Sequence, residues 1–137
     1  MSKPTDVRIL EARCTFETLD FRTPLKFGGR VVESTDLINV EVDVESRGGR
    51  VATGFGSMPL GNIWAWPSAE VAPEQSAEAI RKLAADIVEL AEAYPEFDHP
   101  LDTIYRLSAE YSHMGHKIVQ KLGIDDDFPA WAIMVAG

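Results

Sequence analysis

The stretch from Phe21 to Ser68, FRTPLKFGGRVVESTDLINVEVDVESRGGRVATGFGSMPLGNIWAWPS, decides the fold of this chain. At its centre, Leu37 to Ser46 alternates apolar with polar side chains. Because successive side chains of a strand point to opposite faces of a sheet, this alternation predicts a strand with one apolar and one acidic face. The apolar positions are Ile38, Val40, Val42 and Val44, and the polar ones are Asn39, Glu41, Asp43 and Glu45.

The segments on either side extend this strand into a sheet. Arg47-Gly48-Gly49 predicts a tight turn, since glycine adopts a positive φ without steric cost. Arg50 to Ser57 then returns as a third strand, and Val7 to Phe21, rich in β-branched and aromatic residues, predicts the first. The prediction is an antiparallel three-stranded meander.

Two irregular segments are expected at the ends of these strands. One is the basic, Pro- and Gly-containing segment that follows Phe21, and the other is a loop of fifteen residues from Met58 to Ala72. Loops of this composition on a rigid sheet often carry function.

The second half of the chain is predicted to be helical. A helix begins at Pro73 and ends before Pro95, and another runs from about Pro100 to Leu122, where Gly123 follows as a terminating residue. Packing of both helices on the apolar face of the sheet predicts a two-layer α+β domain, a three-stranded antiparallel meander followed by a helical subdomain. The expected buried stripes are Ile80, Leu83, Ile87 and Leu90 in the first helix and Ile104, Leu107, Tyr111, Met114, Ile118 and Leu122 in the second.

Bulk composition narrows the function. The chain has 137 residues, which suits one domain, and a net charge of −9. This acidity disfavours nucleic acids and anionic membranes as partners. The single cysteine, Cys14, excludes an internal disulfide and predicts an inert buried thiol. The first residues show no apolar secretory segment, so we expect a cytoplasmic location.

In the order of these elements the chain resembles the amino-terminal capping domain of the enolase superfamily, in its mandelate racemase and muconate lactonizing branch. The resemblance lies in Thr23-Pro24-Leu25-Lys26-Phe27-Gly28, the Val-rich strand, Gly54-Phe55-Gly56 and the helices that follow. It implies a capping domain over residues 1–128 and, over residues 129–137, the start of the connection to a (β/α)₈ barrel that this sequence does not contain. Ser57 departs from the pattern, because many members have an acidic residue there.

The resemblance also implies where the chemistry lies. In this family the barrel carries the Mg²⁺ ligands and the bases that abstract a proton α to a carboxylate, in racemases, cycloisomerases and dehydratases. The capping domain closes over the barrel and contributes to substrate specificity. The chain alone is therefore expected to be inactive, with no catalytic residue, no metal ligand and no cofactor of its own, and with its own barrel and a small carboxylate as partners.

Six residues in the two irregular segments are candidate substrate contacts. Lys26 and Arg30 are cations that would bind a carboxylate, Arg30 as a two-pronged donor. Phe27 would form an apolar wall of the site. One of Trp64 and Trp66 would cover the sheet edge, and the other, with Met58 and Leu60, would face a ligand or the barrel. The alternatives are a solvated loop for the cations and ordinary core packing for the aromatic residues.

Other polar clusters are interpreted as structural. His113 and His116 share a helix face but lack further zinc ligands. Asp125, Asp126 and Asp127 do not follow a Ca²⁺-loop pattern and are expected to form a solvated turn, and Asn62 is expected to support a turn.

Two other functions stay open. One is a stand-alone binding or oligomerisation module in which Trp64, Trp66 and Trp131 form a homo-oligomer interface. The other is a small enzyme with an unrecognised site between the two irregular segments.

Overall fold

The computed structural model of this chain describes residues 2–130. Three strands come first: β1 (Val7–Phe27), β2 (Arg30–Ser46) and β3 (Val51–Leu60). Three helices follow: α1 (Asn62–Ala65), α2 (Pro73–Glu92) and α3 (Pro100–Leu122). The sheet is antiparallel in the order β1-β2-β3, which confirms the predicted meander and the α+β class.

The alternation along β2 determines the two faces of the sheet. Ile38 lies opposite Phe16 of β1 and Met58 of β3, and this row faces the helices. The acids of β2 share the other face, as predicted, but arginines of β1 pair with them: Arg13 lies 2.8 Å from Asp43 and 3.5 Å from Glu41. These ion pairs therefore offset part of the negative charge on this face.

The first strand is longer than expected. The segment after Phe21, predicted to be an irregular loop, continues as strand up to Phe27 and forms a hairpin with the start of β2. Between Asp20 and Leu25 the register shifts, because residues 21–24 of β1 lie opposite one residue of β2. A bulge of this kind accommodates Pro24, which has no N–H to donate to a ladder. The sequence pattern predicts a loop here because proline and glycine commonly interrupt strands.

The predicted loop from Met58 to Ala72 is also partly regular. β3 continues to Leu60, three residues beyond its predicted end at Ser57, and a single helical turn, α1, follows. Only the connections on either side of α1 are irregular. We call residues 61–71 the tryptophan segment.

The two long helices match their predicted bounds. Proline occupies the first turn of each, and α3 ends at Gly123, whose φ of +66° suits glycine. The side chain of His99 accepts a hydrogen bond from the backbone N–H of Leu101 and so caps α3.

The helices do not lie side by side on the sheet as predicted. α2 packs on β1, and α3 packs on α2. The core lies between them and includes Ile80 and Leu83 of α2, which are 1% and 0% exposed. Ile104, predicted to belong to the buried stripe of α3, is 53% exposed, because the buried face of the first turns runs through Thr103 and Leu107, which are 7% and 8% exposed.

Candidate functional site between the first hairpin and the tryptophan segment

The two segments singled out in the sequence meet in space and enclose a pocket. It has a volume of about 220 Å³ and lies between the tip of the β1–β2 hairpin, the tryptophan segment and the first turn of α2. The residues that line it are Gly28, Gly29, Arg30, Ile63, Trp66, Pro67, Ser68, Ala69, Val71, Pro73 and Ser76.

The hairpin tip owes its shape to two glycines. Gly28 and Gly29 have φ values of +58° and +76°, a left-handed pair that matches the tight turns favoured between twisted strands. A Cβ on Gly28 would lie 3.8 Å from Cγ2 of Ile63, so the turn rests against the tryptophan segment.

Arg30 connects the hairpin to the opposite wall. Its Nη2 donates a hydrogen bond to the backbone carbonyl of Ser68 over 2.9 Å. This bond holds the half-buried guanidinium at the pocket, where it is the only charged side chain that residues 2–130 contribute to the lining. The pocket therefore carries a local positive charge in a chain whose net charge is −9.

The tryptophan segment is held in place by side-chain hydrogen bonds at both ends. Nδ2 of Asn62 donates to the carbonyl of Pro73 and to Oγ of Ser76, over 2.9 Å and 3.0 Å. The hydroxyl of Ser68 accepts from the backbone N–H groups of Glu70 and Val71. These bonds satisfy backbone and side-chain groups that a loop would otherwise leave exposed or unpaired.

Trp66 anchors the middle of the segment in the core. It is 6% exposed, and its ring contacts that of Phe128 edge to face, with 5.1 Å between the centroids. Its indole N–H donates to Oδ2 of Asp126 over 3.1 Å. This bond, together with the nearby Ser68 hydroxyl, lowers the pKa of Asp126 below its usual value.

Only some of the six predicted contact residues line the pocket. Arg30 and Trp66 line the pocket. Lys26 pairs with Val31, whereas Arg30 pairs with Phe27, so alternation puts the two cations on opposite faces of the hairpin. They are not brought together as a joint carboxylate site.

The other three predicted residues lie outside the lining. Phe27, Met58 and Trp64 are 46%, 41% and 55% exposed. Trp66 is turned into the core of its own chain, so it is not presented as an interface anchor beside Trp64. Trp131 lies outside the described residues, as do residues 132–137 of the expected connection to a barrel.

Sequence reasoning missed two residues of this site. The sequence predicts that Asp126 belongs to a solvated acidic turn, but it is half-buried and accepts a hydrogen bond from the indole of Trp66. Ser68 supports the segment and accepts the hydrogen bond from Arg30 through its carbonyl. The position of Ser68 directly after Pro67 weakly indicates that its hydroxyl supports a turn. No feature of the nearby sequence indicates the role of Asp126.

Outside this pocket, we examined residues 2–130 for metal ligands, a reactive thiol and membrane-spanning helices. Residues 2–130 contain no cluster of three or more His, Cys, Asp or Glu side chains placed to hold a metal ion. Cys14 is half-buried, and burial together with Glu89 raises the pKa of its thiol, which suits an inert thiol. None of the helices in this part of the chain is long and apolar enough to cross a membrane.

Comparison with solved structures gives two similar folds. An enolase from Bradyrhizobium, complexed with magnesium and mandelic acid, matches at 14% identity and a TM-score of 0.49, over 96% of this chain and 31% of that one. The L-Ala-D/L-Glu epimerase from Bacillus subtilis, in a substrate-liganded complex, matches at 15% identity and a TM-score of 0.44, over 78% of this chain and 25% of that one.

Both structures are of enolase-superfamily members, the family that the sequence resembles. This chain spans about a third and a quarter of their lengths. At these identities and TM-scores the likeness concerns the chain trace and says nothing about ligands or activity. No protein-family model and no curated protein matches the chain.

Proposed function

We propose that this chain is the capping part of a larger enolase-superfamily enzyme, and that the pocket between the first hairpin and the tryptophan segment contacts the substrate. The reaction of the whole enzyme would be a racemisation, cycloisomerisation or dehydration that begins with abstraction of a proton α to a carboxylate. The observation that carries this proposal is the pocket itself: both candidate segments build it, and among residues 2–130 Arg30 is the only charged residue that lines it.

In this proposal the metal chemistry lies outside residues 2–130. Their carboxylates and imidazoles do not converge in a set that fits Mg²⁺, which takes oxygen ligands in near-octahedral geometry. A Mg²⁺ ion held by a barrel would supply the charge that stabilises an enediolate. The part of this chain would be to bind and orient the substrate and to exclude water.

Arg30 is the residue to which we assign substrate contact. Its Nη2 is held by the carbonyl of Ser68, so the guanidinium is oriented before a ligand arrives. A planar guanidinium matches a carboxylate better than a lysine ammonium does. Trp66, fixed by Asp126 and Phe128, would form the apolar wall beside it.

The first test is the binding of a small carboxylate to the 137-residue chain. We expect mandelate to shift the NMR signals of the Arg30 side chain and of the Gly28 and Gly29 amides, and mandelamide, its uncharged analogue, to leave them unchanged. Arg30→Gln should abolish these shifts. Lys26→Gln is the matched control, since Lys26 lies on the other face of the hairpin, and it should preserve them. Shifts that persist in Arg30→Gln would contradict the assignment.

The second test separates a cap from a stand-alone module. The genomic reading frame beyond the codon for Gly137 should encode a barrel with a Lys-x-Lys motif and three spaced acidic residues. In that longer enzyme, Arg30→Gln should raise KM for the carboxylate substrate. A stop codon at that point, with no binding of carboxylates, would instead favour the module.

A further inference from the structure

The outer edge of β3 is open to solvent along its whole length. Every residue from Val51 to Pro59 is exposed, including Phe55 at 68% and Val51 at 63%. The opposite edge of the sheet is covered at its start: the N–H of Ala12 donates to a carboxylate oxygen of Glu92 from α2, and Val7 pairs with Asp98. Within residues 2–130, β3 has no cover of this kind.

The hydrogen-bonding phase of β3 follows from its turn. The N–H of Ser46 donates to the carbonyl of Arg50, which fixes the bonded pairs of the β2–β3 ladder. The alternate residues of β3 then direct their N–H and C=O groups away from β2. These are Val51, Thr53, Phe55 and Ser57, followed by Pro59, which has a carbonyl but no N–H.

This edge carries little of the usual protection against pairing. Native edge strands are protected by charged side chains, prolines, bulges or a covering element. β3, VATGFGSMPL, contains no charged residue, and its register with β2 has no shift, so Pro59 near its end is the one such feature it carries. The acids beside it on β2, Glu41 and Asp43, are already paired with Arg13, so the surface next to the edge is less acidic than the net charge suggests.

The edge is also complementary to itself. In an antiparallel pairing of two copies about a two-fold axis at Gly54, Val51 lies opposite the partner's Ser57, and Thr53 lies opposite the partner's Phe55. All four outward-directed residues then find a partner that can both donate and accept. An axis at Thr53 leaves Ser57 unmatched, and an axis at Phe55 places Val51 opposite the partner's Pro59, which can accept but not donate. The two Phe55 rings become diagonal neighbours, within reach of each other.

The residues between them permit close approach. In this register Ala52, Gly54 and Gly56 form the non-bonded pairs, in which the Cα atoms approach to about 4.5 Å. A side chain at Gly54 is not sterically excluded within one copy, because its nearest neighbour would be the carbonyl oxygen of Val42 at 3.9 Å. The small residues are thus not explained by crowding within the fold.

We propose that two copies of this chain pair through β3, antiparallel and centred on Gly54, to form a continuous six-stranded sheet. The interface is separate from the pocket at the first hairpin. It differs from the alternative of a tryptophan interface, because it is built on backbone hydrogen bonds and Phe55.

Sedimentation equilibrium across a concentration series tests the association. The wild-type chain should form a dimer, and Phe55→Lys should lose it by placing two charges near the axis. Ser57→Pro, which removes only an outward-directed N–H, should weaken it as well. Tyr105→Lys is the matched control: Tyr105 is 80% exposed on α3, and this variant should remain dimeric. Circular dichroism of each variant verifies the fold.

Disulfide trapping tests the register. In a Cys14→Ser background, Gly54→Cys should form a covalent dimer on oxidation, because the two Cα atoms at the axis lie within disulfide range. Gly56→Cys should not, because it and the partner's Gly56 are offset by four residues, roughly 13 Å along the strand. A monomeric wild-type chain, a dimer that survives both Phe55→Lys and Ser57→Pro, or equal trapping at Gly56 would overturn the proposal.

Discussion

Trp66 shows how one side chain fixes the wall of the candidate site. Trp64 lies two residues away in the same apolar stretch of the sequence. Its side chain is nevertheless 55% exposed, whereas that of Trp66 is 6% exposed. The difference comes from Phe128 and Asp126, which receive the ring and the N–H of Trp66. Two tryptophans that look equivalent in the sequence therefore have different roles, one as an anchor and one at the surface.

Truncating these two tryptophans should separate the roles. We expect Trp66→Ala to lower the free energy of unfolding by about 3–5 kcal/mol, the usual cost of removing a buried large aromatic side chain. Trp64→Ala should lower it far less. Urea denaturation followed by circular dichroism measures both, and equal losses would show that the anchor is assigned to the wrong residue.

Gly115 in α3 has an ordinary helical backbone, and glycine is needed there because the ring of Phe128 packs against it. A Cβ at this position would lie 2.7 Å from Cδ1 and 3.0 Å from Cγ of Phe128. Glycine inside a helix normally costs about 1 kcal/mol relative to alanine, so its presence needs a reason. The close approach of the Phe128 ring supplies one.

Alanine at this position should consequently destabilise the protein. We expect Gly115→Ala to cost about 1–3 kcal/mol through overpacking, despite its better helix propensity. In a Phe128→Ala background the same substitution should become neutral or stabilising. A double-mutant cycle from denaturation curves measures this coupling, and additive effects would contradict the assigned contact.

At the scale of elements, the first hairpin presents Arg30 to the pocket. The bulge at residues 21–24 and the Gly28–Gly29 turn set which side chains face the tryptophan segment. The same hairpin turns Lys26 to its other face, so the two cations of a short basic stretch do not act together. The geometry of the turn thus determines which cation reaches the site.

The conformation of Gly29 should control the order of the hairpin tip. Its φ is +76°, and a Cβ there would meet nothing within 4 Å, so only backbone strain opposes a side chain. We expect Gly29→Val to destabilise the turn by about 1–2 kcal/mol, and Gly29→Asn to be better tolerated. Amide hydrogen exchange at Phe27 and Arg30, the pair that closes the turn, should rise in Gly29→Val, while exchange in α2 should not change.

At the scale of the whole molecule, carboxylates with lowered pKa values connect distant parts of the chain. Asp43 accepts hydrogen bonds from Arg13 and Thr53, and Asp126 accepts from Trp66, so each is stabilised in its charged form. The pKa of Asp36 is lowered too. Burial alone would raise this pKa, but the hydrogen bonds from Thr18 and Arg81 outweigh the effect of burial. These contacts join strand to strand, strand to helix, and the tryptophan segment to the end of α3.

These contacts predict loss of stability in acid. A carboxylate whose pKa is lower in the folded than in the unfolded state stabilises the fold fully above the unfolded value, near 3.8, and loses this contribution as the pH falls through the folded value. We expect the melting temperature to fall as the pH drops below about 4. Asp43→Asn should lower the melting temperature at neutral pH and make its fall in acid less steep. Glu110→Gln, at an exposed position of α3, serves as the control.

The sequence by itself determined the local features. The alternation in β2, the Gly-Gly turns, and the start and end of α2 and α3 follow from backbone geometry and from residues close together in the chain. The site was predictable only as two segments that carry candidate contacts.

The tertiary structure decided which of those contacts meet. Trp66 is held by a carboxylate sixty residues away, Arg30 faces the pocket while Lys26 does not, and Ile104 is left exposed. These outcomes depend on which surface another element covers, and that is a property of long-range packing. A pattern of nearby residues specifies the face of a strand or helix, but it does not specify what will lie against that face.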